Sequence, residues 1–65
     1  MTGRVKHEHC RNLSLKVNRL TNHTVDIEEY PERPSDLTID GAVYKRISNT
    51  KIYEMLEGLL NEEGD

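Results

Sequence analysis

The chain has 65 residues, of which 34% are hydrophobic and 32% charged, with a formal net charge of −3 and three tyrosines as its only aromatics. That length fits one small domain spanning residues 1–65 and leaves no room for a deep enclosed active site. No apolar run approaches a membrane span, which takes about 20 residues; Met1–Cys10 is too polar for a secretory signal, and a lone cysteine excludes a disulfide framework.

A cytoplasmic protein with a thin aliphatic core is therefore expected. Its candidate members are Leu13, Leu15, Val17, Leu20, Val25, Ile27, Leu37, Ile39, Val43, Ile47, Ile52, Met55, Leu56, Leu59 and Leu60. Residues 1–9 read as a flexible segment or an edge strand. Within 10–20, Leu13, Leu15 and Val17 alternate as in a strand, while Cys10, Leu13, Val17 and Leu20 also fit helical spacing. Asn12, Ser14 and Asn18 are poor helix formers, so strand is the expectation, with Thr21-Asn22-His23 as the turn into the next one.

Thr24 to Glu28 alternates polar and apolar residues, as a half-buried strand does. Tyr30-Pro31-Glu32-Arg33-Pro34 ends it, because two prolines impose extended backbone and remove two donors. Asp40-Gly41 suits a two-residue type I′ turn, which needs positive φ at both positions. The turn pairs Ile39 with Ala42 and Leu37 with Tyr44 on one face, and leaves Thr38, Val43 and Ile47 for the other. Ile52, Met55, Leu56, Leu59 and Leu60 form one stripe of a helix over about 50–62, with Ser48, Asn49 or Thr50 as N-cap and a frayed tail at 62–65. Together these elements predict an α+β fold: a three- or four-stranded antiparallel sheet with one C-terminal amphipathic helix packed on one face. Pro34 to Leu60 (proline, hairpin, helix) loosely resembles the last third of a thioredoxin-like domain. The earlier elements and a paired-cysteine motif are absent, so the resemblance implies no activity.

Catalytic chemistry has no visible basis. The serines lie in no nucleophile motif, and the four glycines are too scattered for a phosphate loop. No enzyme activity and no cofactor are expected. His7, His9, Cys10 and His23 are weak metal candidates, because their spacing is not that of a structural zinc site. The sequons at Asn12 and Asn22 are read as chance matches.

Charge is divided along the chain: residues 1–20 carry five Lys or Arg against Glu8, and residues 21–65 carry four against eleven acids. With one helix, the second sheet face stays uncovered, and an exposed apolar patch marks an interaction surface. The expected function is a non-enzymatic protein-binding module, an adaptor, inhibitor or antagonist of the kind often encoded by phages and mobile elements. Its contacts would be Val43, Lys45 and Ile47, with Glu28, Glu29, Glu32, Asp36 and Asp40 steering a partner protein that bears a basic patch. A homodimer would also cover the open face. The alternative is a nucleic-acid-binding regulator using Arg4, Lys6, Arg11, Lys16 and Arg19.

Overall fold

Cys10, Leu13 and Val17 recur three and four residues apart, and the chain uses that spacing to build a helix. The computed structural model describes residues 5–63. The element order is α1 (His7–Leu20), β1 (Val25–Glu28), β2 (Ser35–Ile39), β3 (Ala42–Ile47) and α2 (Asn49–Glu63). The class is α+β, with a three-stranded antiparallel sheet in the order β1-β2-β3. Two helices are present where the sequence predicts one.

The strand expected over 10–20 is thus corrected to helix, and the loose or edge segment expected over 1–9 is helical from His7 onward. The residues that argued against helix are the reason it is tolerated. Ser14 turns its hydroxyl back to the Arg11 carbonyl at 2.7 Å. The Asn18 amide donates to the Val25 carbonyl at 3.0 Å and accepts from the Val25 N–H at 2.7 Å. Both side chains find partners, which offsets their low helix propensity. Helical winding sends Cys10, Leu13 and Val17 inward and leaves Leu15 and Leu20 in solvent, at 59% and 63% exposure. Thr21 then stops the helix. Its N–H donates to the Val17 carbonyl at 3.0 Å, its hydroxyl donates to the same oxygen at 2.7 Å, and the hydroxyl accepts from His23 N–H at 3.0 Å.

The hairpin follows its expected register. Ile39 pairs with Ala42, Thr38 with Val43 and Leu37 with Tyr44. Asp40 and Gly41 have φ of 51° and 90°, the left-handed conformations that a type I′ turn requires. The regular ladder breaks after Tyr44. Ser35 pairs with Ile47, so β3 fits one extra residue into the bulge, where Arg46 adopts φ 58°. One added residue reverses the facing of everything after it. Ile47 therefore packs against the core instead of joining Val43 on the open face.

The helix after it is capped by Ser48, whose hydroxyl accepts from Lys51 N–H at 3.2 Å. Asn49 reaches back to donate to the Val5 carbonyl at 3.1 Å, tying the start of the described chain to α2. The buried centre is Cys10, Leu13, Val17, Val25, Leu37, Ile52 and Leu56, with Ile27, Ile39, Ile47 and residues of α2 around it. Both helices contribute to this one cluster; α1 lies against β1, and α2 against α1. The far side of β3 receives little cover, so Tyr44 remains 41% exposed although it points toward the helices' side of the sheet. Val43 is 57% exposed, in keeping with its expected place on the uncovered face and not with its place among the candidate core residues.

Leu37 is fully buried and Leu15 is not. Leu37→Ala is expected to cost about 2–5 kcal/mol of unfolding free energy. Leu15→Ala is expected to fall within about 0.5 kcal/mol of the parent. Urea unfolding followed by circular dichroism checks both; a large loss at Leu15 would contradict the helical placement of this segment.

Candidate functional site

The face of the sheet away from the helices carries the side chains that alternate with the core residues. Asp26 and Glu28 come from β1, Asp36 and Thr38 from β2, and Val43 and Lys45 from β3. Together with Tyr30 they line a broad, shallow depression. The strand alternation is what places them there, since Val25, Ile27, Leu37 and Ile39 face the other way. The open face is more polar than the sequence suggests: Val43 supplies its exposed apolar surface and the acids its border.

Asp36 organises one end of this surface. It is 8% exposed and accepts from Arg33 through both oxygens, at 2.9 and 3.3 Å. It also accepts from the Tyr30 hydroxyl at 3.3 Å and from the Arg46 backbone N–H at 3.2 Å. The Arg33 guanidinium in turn lies over the Tyr30 ring, 3.7 Å from its centroid. Hydrogen bonds from Arg33, joined by those from Arg46 N–H and Tyr30, outweigh burial and hold the Asp36 carboxyl at about 2. The adjacent Tyr30 hydroxyl is pushed up, first by burial and then by the neighbouring carboxylates of Glu28 and Asp36.

The proposed steering set of acids is dispersed by these pairings. Asp36 is occupied as described. Asp40 lies at the opposite end of the hairpin, with His23 Nδ1 at 2.6 Å and Thr24 N–H donating at 2.8 Å. Its carboxyl is lowered, chiefly by the hydrogen bond with His23. Glu29 pairs with Arg11 at 2.6 Å. Glu28 remains exposed on the open face, and Glu32 is exposed in the loop between β1 and β2. Ile47 leaves the site because of the bulge, whereas Val43 and Lys45 stay in it. Asp26 belongs to this surface although the steering set read from the sequence leaves it out; its alternation with Glu28 was the signal for including it.

The basic residues of the first third lie on or beside α1. Arg4 falls outside the described residues, as does the end of the expected frayed tail. Arg11 is engaged with Glu29, leaving Lys16 and Arg19 on the solvent side of the helix and Lys6 just before it.

The metal candidates are not brought together. No cluster of three or more His, Cys, Asp or Glu suited to a metal exists among the described residues. His9 Nδ1 accepts from Lys6 N–H at 3.4 Å, and His23 lies beside Asp40 with Glu62 3.9 Å away. Cys10 is 1% exposed, and its thiol donates to the Asn49 carbonyl at 3.4 Å. Burial, followed by the charge of Glu29, pushes that thiol up, which disfavours the reactive thiolate.

No helix among the described residues is long and apolar enough to cross a membrane. No protein-family model, curated protein or solved structure matches the chain.

Asp36 links this surface to stability. Its carboxyl is lowered from 3.8 to about 2 in the fold, so its ionised form stabilises the native state fully above pH 3.8 and loses that effect as pH falls toward 2. Acid titration of unfolding is expected to show a loss in this window that Asp36→Asn removes, along with part of the stability at neutral pH. An unchanged acid limb in Asp36→Asn would disprove the linkage.

Proposed function

We propose that the protein is a small non-enzymatic protein-binding module, acting as an adaptor, inhibitor or antagonist. The observation that supports this most directly is a sheet face that no element of the described chain covers, with Thr38 at its middle, Val43 on the β3 side and Asp26 and Glu28 on the β1 side. A surface this open is poorly shaped to enclose a small substrate, but it offers the broad contact that protein recognition uses. Its partner in this reading is a protein with a basic patch, attracted by Asp26 and Glu28 and contacting Val43. Glu32 lies apart from this face, beside Arg33 and Arg46, while Glu29, Asp36 and Asp40 serve internal pairing first.

The alternative, a nucleic-acid regulator, has weaker support. Phosphate binding draws on several cations at once, and Arg11 is already committed to Glu29.

The test compares protein captured from host lysate by the parent and by an Asp26→Arg, Glu28→Arg double variant, quantified by mass spectrometry at about 50 mM salt. A retained protein whose recovery drops about tenfold in the variant supports the reading. Equal recovery by both refutes the steering role. Recovery of nucleic acid that disappears in a Lys16→Glu, Arg19→Glu variant refutes the protein-binding reading itself.

A further inference from the structure

The sheet has two edges, and the structure treats them differently. On β1, the residues whose N–H and C=O point away from β2 include Val25, and both of its groups are taken by the Asn18 side chain. The bond from Asp40 N–H to the Thr24 carbonyl at 2.8 Å fixes that alternation. On β3, a two-residue hairpin makes Ile39–Ala42 and Leu37–Tyr44 the hydrogen-bonded pairs. The N–H and C=O groups of Val43 and Lys45 therefore point outward, where no described element meets them.

The same strand is conspicuous in two other respects. Val43 and Tyr44 are two of the four large apolar side chains left exposed among the described residues, and they lie on opposite faces of one edge. From Gly41 to Tyr53 the chain carries Lys45, Arg46 and Lys51 and no acid, although the protein as a whole is acidic. None of these three cations forms an ion pair among the described residues.

We propose that the β3 edge is a second recognition site, which adds an extended acidic segment of a partner protein as a fourth strand. Backbone groups of Val43 and Lys45 provide the pairing, as in other cases of strand addition. The added strand covers Val43 on one face and Tyr44 on the other. Its acidic residues lie against Lys45 and Arg46, where a cross-strand pair of opposite charge is favourable. A second copy of this chain is the less suitable occupant, because joining two such edges crowds two sets of unpaired cations. This site shares Val43 and Lys45 with the open sheet face but engages their backbone groups at the edge, and it does not depend on the reading proposed for that face.

The probe is an end-capped hexapeptide of alternating glutamate and valine, titrated into the whole 15N-labelled protein at low salt. Saturable shifts centred on residues 42–47 are expected, with binding weakened about tenfold or more by Lys45→Glu. Val43→Pro is expected to abolish binding while keeping the fold, because the lost N–H faces outward at an edge. The same peptide N-methylated on alternate residues is expected to fail against the unaltered protein, which removes any dependence on how the proline variant folds. The proposal is overturned by no shift in β3 up to about 1 mM peptide, by equal binding of the lysine-valine counterpart, or by undiminished binding of the methylated peptide. Sedimentation that shows a dimer broken by Val43→Pro overturns it in favour of a second copy.

Discussion

The arrangement of the sheet depends on one carboxylate. Asp36 accepts from the Arg33 guanidinium, the Tyr30 hydroxyl and the Arg46 backbone, so a single side chain joins the loop after β1 to the irregular end of β3. The left-handed backbone of Arg46 is disfavoured by roughly 1–2 kcal/mol for a residue with a Cβ, and the bond from its N–H to Asp36 helps to offset that cost. The bulge so held decides which way Ile47 faces. Because Ile47 turns inward, the open face keeps Val43 and Lys45 but loses one of its two expected apolar contacts.

Much of this was legible in the residues. Asp40-Gly41 announces its turn because few dipeptides accept two positive φ values, and the register then follows from geometry. The stripe from Ile52 to Leu60 leaves no alternative to helix. Residues 10–20 were ambiguous because two periodicities overlap on Leu13 and Val17, and local propensity chose wrongly between them. The deciding contacts are nonlocal: Asn18 with Val25, and Cys10 with Asn49, separated by 39 positions. The bulge was hidden for a related reason. Arg46 carries no turn signature, and its conformation is held by an acid ten positions earlier.

The candidate site was legible in outline. An uncovered sheet face follows from having too few helices to cover two sides, and it persists with two helices because both pack on the same side. The charge layout was read from sequence blocks, and it is here that folding changes most. Arg11 and Glu29 neutralise each other across α1 and the loop, and Asp40 is drawn to His23. What survives is a finer division, with acids along β1 and, along β3, cations that form no ion pair among the described residues. The polarity of the surface therefore runs across the strands and not from one half of the chain to the other.

The Asn18 amide has a consequence beyond helix α1. Strands stack into fibres when each newcomer leaves a margin as receptive as the one it filled. Here one margin is stoppered at Val25 by a side chain of the protein's own first helix. A newcomer therefore meets two unlike borders, one already occupied at Val25 and one at β3 where Val43 and Lys45 stand open.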